Sequence, residues 1–134
     1  MIHERTILIA DDQKHMLMLL EATVAPIGCR ILTANCGEEV LIKAATTFVD
    51  LLLIDFEMSG LTGVQTVRKL KEDTLYANLP VILVTARGQN RVLADATSAG
   101  VTLVIPKPFS PMELLEIVRR LLIEPGTAMH PGPA

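Results

Sequence analysis

The sequence predicts an α/β fold, a doubly wound five-stranded parallel sheet of the (βα)5 kind with strand order 2-1-3-4-5. Two observations predict it. Five short β-branched or Leu-rich runs recur at regular intervals, each followed by a segment of helical length, and three of the runs (ILIA, LLLID and VILVT) are almost continuously apolar rather than alternating. Strands covered on both faces by helices read that way. Right-handed crossovers between parallel strands then make an open, doubly wound sheet the economical arrangement.

In chain order, strands are expected over Thr6–Ala10, Arg30–Ala34, Leu51–Asp55, Pro80–Thr85 and Thr102–Ile105. The intervening helices are expected over Lys14–Ala25, Gly37–Thr47, Thr62–Asp73, Gln89–Ala99 and Pro111–Leu122. In the last of these Leu114, Leu115, Val118, Leu121 and Leu122 recur at spacings of three and four, which turns one stripe toward the sheet. Ser110 before Pro111 supplies an N-cap and a first-turn proline. Gly100 after Ala99 is placed to end the fourth helix. Met16 to Leu20 on the first helix read as core with some surface, and His15 beside them as a surface or packing residue.

A chain of 134 residues, half of them apolar, is long enough for one compact domain with its own core and too short for two. We place that domain at residues 1–123 and read 124–134, EPGTAMHPGPA, as a flexible tail or the start of a linker, because it is rich in Pro and Gly and has little to bury. A net charge of −3 provides no basic field for the phosphates of nucleic acid or of an anionic membrane, so no direct contact with either is expected. No apolar run approaches the roughly 20 residues of a membrane span, and MIHERTILIADD lacks the pattern of a signal peptide. A cytoplasmic location follows as the expectation. Cys29 and Cys36, with six residues between them, fit neither a CxxC pair nor a zinc knuckle and read as buried, reduced thiols.

Ligands of an open α/β sheet bind beyond the carboxyl ends of the strands, near the point where strand order reverses. The first strand ends at Asp11 and Asp12, the third at Asp55 and the fourth at Thr85, and the fifth leads into Lys107 and Pro108. Taken singly, each has a plain structural reading. Asp11 and Asp12 would serve equally as caps of the first helix, Asp55 as a turn former, Thr85 as an ordinary strand residue and Lys107 as a solvated surface charge. Jointly, three carboxylates, a hydroxyl and an ammonium fall on one rim. Clustered carboxylates raise one another's pKa unless a cation is near, and an all-oxygen donor set suits Mg²⁺. Asp55 would then act as a nucleophile toward phosphorus. The metal and Lys107 would neutralise the phosphoryl oxygens and Thr85 would donate a hydrogen bond. Gly60 and Gly63 have no dinucleotide or P-loop spacing, so nucleotide binding is unsupported.

Over residues 5–122 this pattern resembles the receiver domains of bacterial two-component response regulators, modules with the flavodoxin-like (βα)5 fold. The resemblance rests on the acidic pair, on DFEMSGLTG from Asp55 to Gly63, on LVTA from Leu83 to Ala86 and on PKPF from Pro106 to Phe109. It implies that Asp55 is the phosphoacceptor, with Asp12 and Asp55 ligating Mg²⁺ directly, Asp11 through water and Glu57 through its backbone carbonyl. It implies that Lys107 and Thr85 hold the phosphoryl oxygens and that the Lys107–Pro108 bond is cis. The implied partners are a sensor histidine kinase or histidine phosphotransfer protein and a downstream target or effector, with a possible homodimer through the face of the fourth helix, fifth strand and fifth helix. The chemistry is self-catalysed, but its product is a conformation, so the chain is read as a regulator and not an enzyme.

The sequence departs from the family pattern at two places, Ser59 and Val104, and carries Glu57 and Arg87 at positions that the family varies. Ser59 stands where the acceptor loop usually has Pro, which predicts a less stiff loop. Val104 stands where an aromatic side chain commonly swings inward on activation. Glu57 and Arg87 are positioned to pair across the pocket mouth and restrict attacking water, or else to be two solvated charges. Two alternatives remain at this stage: a degenerate receiver acting as a phosphorylation-independent interaction module, and a metal-dependent phosphatase with Asp55 as nucleophile. The second lacks a nearby second Asp acid, since Glu57 occupies that position, and has no cap domain. Nothing after Leu122 reads as an effector, so the chain is expected to act alone or to continue into a longer regulator.

Overall fold

The computed structural model of the chain describes residues 4–86 and 90–123. Five parallel strands form one sheet in the order β2-β1-β3-β4-β5. They are β1 (Thr6–Ala10), β2 (Arg30–Ala34), β3 (Leu51–Asp55), β4 (Val81–Thr85) and β5 (Leu103–Pro106). The helices are α1 (Lys14–Val24), α2 (Gly37–Thr46), α3 (Gly63–Leu70), α4 (Asn90–Ala99) and α5 (Pro111–Ile123). Fold class and strand order are those the sequence predicts.

The three almost continuously apolar runs are the three central strands, and every residue of β1, β3 and β4 is buried. Alternate side chains go to opposite faces. Leu8, Leu52, Ile54 and Leu83 join α2, α3 and α4 in one core layer. Ile7, Ile9, Leu51, Leu53, Ile82 and Val84 meet α1 and α5 in the other. The α5 stripe buries Leu114, Val118, Leu121 and Leu122, whereas Leu115 is half-buried. On α1, Leu20 is buried while Met18, Leu19 and His15 are exposed.

Differences from the expected elements lie at their ends. Pro26 cannot donate a backbone hydrogen bond, and α1 gives way after Val24 to a 3₁₀ turn over Ala25–Ile27. The third helix stops at Leu70, not Asp73, because Asp73 caps a new 3₁₀ turn, its side chain accepting from the Leu75 amide at 2.9 Å. At the other end of α3, Thr62 and Gln65 form a reciprocal capping box, so Thr62 is the cap and not the first helical residue. Gly100 ends α4 as expected. It sits at φ 98°, its amide reaching the Thr97 carbonyl and that of Val101 the Ala96 carbonyl, the paired closure of a Schellman turn. Ser110 caps α5 by accepting from the Glu113 amide at 3.2 Å.

Both thiols are free, but half-buried instead of buried. Cys29 precedes the edge strand β2 and packs at the margin of the core layer that holds α1 and α5, and Cys36 is the N-cap of α2. Burial pushes the Cys29 thiol pKa up. Among the described residues no helix is long and apolar enough to cross a membrane. Gln89, Arg87 with its suggested pairing to Glu57, and the tail at 124–134 lie outside the described residues.

Candidate functional site

The site is assembled by strand ends. β3 is apolar for four residues, and the register that buries those residues leaves Asp55 as the last of the strand, 4 % exposed. Beside it β1 ends at Ala10, and the next residue, Asp11, is fully buried, its amide bonded to the Ala34 carbonyl at 3.1 Å. On the other side Val84 pairs with Asp55, which puts Thr85, 1 % exposed, one residue further along the rim. The Lys107 amide donates to the Thr85 carbonyl at 2.9 Å and so ties the turn after β5 to the end of β4. The Lys107–Pro108 bond is cis, as the resemblance implies.

From that turn the Lys107 ammonium reaches inward to Asp55 Oδ1 at 2.6 Å and to Asp11 Oδ2 at 3.7 Å. Asp11, Asp12 and Asp55 each offer a carboxylate oxygen within 4.8 Å of the others. Two of the three acids, Asp11 and Asp55, thus share one ammonium. Burial pushes the Asp55 carboxyl above its ordinary range; the Lys107 hydrogen bond pulls it back and the charge of Asp11 raises it again. Asp11 is raised for the same first reason, partly offset by its bond from the Gln13 amide and by Lys107. For Lys107 burial acts to lower the pKa, but the bond and charge of Asp55 and the charge of Asp11 outweigh it and the net shift is upward. The ammonium therefore stays charged throughout the physiological range.

One atom points to what is needed here. Asp11 Oδ2 is buried with no hydrogen-bond partner among the described residues. The Lys107 ammonium, 3.7 Å away, attracts this oxygen but is too far to hydrogen-bond it, and a buried carboxylate oxygen in that condition is costly unless a closer cation or water meets it. The donors are all hard oxygens, three of them carboxylates, which fits a divalent cation of the Mg²⁺ type and not a thiolate- or imidazole-loving metal.

The loop after β3 closes the site. Phe56 donates to Val84 and accepts from the Gly63 amide, both at 2.8 Å, and the Met58 side chain is buried. Gly63 is forced by contact: a Cβ there would stand 2.4 Å from the Asp55 carbonyl oxygen. Glu57 is exposed, and its side chain is not part of the acid cluster. Neither Asp11 nor Asp12 caps α1, whose N-cap is Gln13 without a side-chain cap bond; Asp11 instead accepts from the Gln13 amide at 2.9 Å in the turn that leads into the helix. Ser59, legible in the sequence only as a missing proline, is tied in: its amide donates to Asp12 Oδ2 at 3.1 Å, and its hydroxyl lies 3.4 Å from the same oxygen.

The profile of the family described as the response regulator receiver domain matches residues 7–119. The chain belongs to this family. Receiver domains are the regulatory input modules of two-component response regulators, which work with kinases and effector domains. Among similar proteins, the phosphate regulon transcriptional regulatory protein PhoB of Pseudomonas aeruginosa is 29 % identical over 96 % of this chain and 56 % of its own length. Protein PilG of the same organism is 28 % identical over 84 % of each chain. The solved structure of the chemotaxis protein CheY4 of Vibrio cholerae superposes with a TM-score of 0.83 at 26 % identity, covering 89 % of this chain and 99 % of that one. The chain thus spans about half the length of the first curated relatives it matches, 56 % and 53 % for two of them.

Proposed function

We propose that this receiver domain takes a phosphoryl group onto Asp55 from the phosphohistidine of a sensor histidine kinase or a histidine phosphotransfer protein, and so switches a downstream partner or effector. The observation that carries the reading is the 2.6 Å contact of Lys107 with Asp55 inside a cluster of three acids at the carboxyl ends of the strands. Asp12 and Asp55 would hold Mg²⁺ directly, Asp11 through water and Glu57 through its carbonyl. When bound, the ion supplies positive charge that offsets the carboxylate repulsion and draws in phosphoryl oxygens.

The chain's own residues do the rest. A carboxylate oxygen of Asp55 attacks phosphorus, the bond from phosphorus to the donor imidazole breaks, and its electron pair returns to the ring nitrogen. Lys107, held charged by Asp55 and Asp11 before transfer, follows the negative charge onto the new phosphoryl group. The Thr85 hydroxyl donates to a phosphoryl oxygen from the neighbouring strand end. Burial of Asp55 excludes bulk water from the aspartyl phosphate. Output is assigned to the face of α4, β5 and α5, where a homodimer is also possible. Val104 packs there against the core layer of Val92, Ala96 and Ala99 in place of an aromatic, so the signal passes by repacking of aliphatic side chains. We assign the activity to the cytoplasm, without direct contact to nucleic acid or membrane.

Intact-mass spectrometry after incubation with acetyl phosphate tests this. The native chain gains the mass of one phosphoryl group in the presence of Mg²⁺ and not in its absence, and Asp55→Ala gains none. Absence of an adduct, together with an unchanged NMR spectrum on addition of BeF₃⁻, would leave the domain a phosphorylation-independent interaction module.

A further inference from the structure

The three acids of the site are not held alike. Asp11 and Asp55 are buried and share Lys107, whereas Asp12 is exposed and, among the described residues, no ion pair reaches it. Two buried like charges stand within 4.8 Å of one of its oxygens, and open water lies on its other side. Repulsion and hydration both favour turning this carboxylate out of the cluster. Its position is maintained by Ser59, whose amide donates at 3.1 Å and whose hydroxyl adds a longer contact at 3.4 Å to the same Oδ2.

The donor is itself fixed. Met58 is buried just before it, Gly60 just after it takes φ 78°, and the Gly63 amide closes the loop onto the Phe56 carbonyl at 2.8 Å. A rigid donor orients its acceptor at little entropic cost. An ionised carboxylate has about four lone-pair sites, so Ser59 on Oδ2 leaves Oδ1 available. Ligation and tether are therefore compatible on one side chain. A proline at position 59 would donate neither bond.

We propose that Ser59 is a positioning residue of the divalent-metal site, its backbone amide holding Asp12 in ligating orientation from the acceptor loop. The proposal rests on the reading of Asp11, Asp12 and Asp55 as a Mg²⁺ site. Hydrogen bonds to a ligating carboxylate from outside the ligand set typically govern affinity by 10- to 100-fold. Loss of the amide should reach the lower end of that range, and loss of the long hydroxyl contact much less.

Calorimetric titration with Mg²⁺, repeated with Mn²⁺, on the native chain, Ser59→Ala, Ser59→Pro and Asp12→Ala separates the outcomes. Expected are a loss of about tenfold in affinity for Ser59→Pro and about twofold for Ser59→Ala. In an Asp12→Ala background the Ser59 changes should add nothing. Amide exchange of Ser59 in the metal-free protein gives a second readout, independent of how Ser59→Pro folds: it should quicken about fivefold in Asp12→Ala, as a lost hydrogen bond of roughly 1 kcal/mol implies. Failure of the native chain to bind either ion would overturn the metal reading itself. Metal binding by the native chain with Ser59→Pro equal or tighter, an equal loss in the Asp12→Ala background, or unchanged Ser59 exchange would overturn the tether alone.

Discussion

At the amino-terminal ends of the strands the buried polar groups are paired, while at the carboxyl ends of the same strands like charges are crowded together. On the amino-terminal rim the Thr6 amide donates to Asp50 Oδ2 at 2.8 Å and Arg5 donates to the Leu122 carbonyl at 2.7 Å. Tyr76, 2 % exposed and stacked on Phe48, accepts from the Val49 amide and donates to the Ala44 carbonyl. Lys71 spends its ammonium on the carbonyls of Ala77 and Leu79. On the carboxyl rim three carboxylates crowd together around one ammonium that pairs with only two of them, and a buried oxygen of Asp11 has no hydrogen-bond partner among the described residues. One sheet thus separates the work: one rim closes the fold, and the other keeps an electrostatic strain that a cation and a phosphoryl group can relieve.

The contrast is tested most strongly at its stable end. Tyr76→Ala should cost about 3–5 kcal/mol, as large aromatic truncations in cores do. Tyr76→Phe, which leaves the Val49 amide and the Ala44 carbonyl unpaired, should cost about 1–3 kcal/mol. Both losses, measured by urea unfolding, should be the same with and without Mg²⁺, since the rim lies across the sheet from the acids. A Mg²⁺-dependent difference would mean that the two rims are coupled. Next in size comes Gly63→Ala. Its Cβ would meet the Asp55 carbonyl oxygen at 2.4 Å and Leu83 Cδ1 at 2.8 Å, so the end of β3 or the start of α3 has to move. A stability loss of about 1–3 kcal/mol is expected, accompanied by slower phosphorylation because the displaced backbone carries the nucleophile. Normal phosphorylation kinetics in a destabilised Gly63→Ala would show that Asp55 is not held through this contact.

These two rims were unequally legible in the sequence. The carboxyl rim is written in residue types that have few structural uses together: Asp11, Asp12, Asp55, Thr85 and Lys107 follow apolar strands at matching positions, so both the fold and the acid cluster could be read before any coordinates. The amino-terminal rim could not, because Tyr76 and Asp50 act there through backbone partners that any residue supplies, and no spacing marks them. The same reason hid Ser59. Its decisive donor is a backbone amide, visible in the sequence only as the absence of proline, and no residue type announces that the freed N–H finds Asp12. Helix ends were misjudged where a side chain started a new turn, as Asp73 does after α3.

The smallest effect is also the one that reverses sign between conditions. In the chelated protein burial first, and the charges of Asp11 and Asp12 after it, raise the Asp55 pKa above the ordinary 3.8, while the Lys107 bond and charge lower it; the net is upward. A raised carboxyl pKa means that the folded state binds the proton more tightly than the unfolded one. Stability is therefore lost as pH rises from about 3.8 through the folded value. Lys107 acts at the other end of the scale: its raised pKa contributes stability that is whole below 10.5 and lost above it. At neutral pH the ionised Asp55 is thus a net cost, and Asp55→Asn should melt a few degrees higher than the native chain in EDTA, with Asp11 still 3.7 Å from Lys107. Saturating Mg²⁺ should invert the order. At a hundredfold excess over its dissociation constant a ligand adds about 2.7 kcal/mol to the state that binds it, and Asp55→Asn forfeits most of this. Melting curves of the two proteins with and without Mg²⁺ should cross. If Asp55→Asn melts lower than the native chain in EDTA, the carboxyl rim is held together by its ion pair, and the division of labour between the two rims fails.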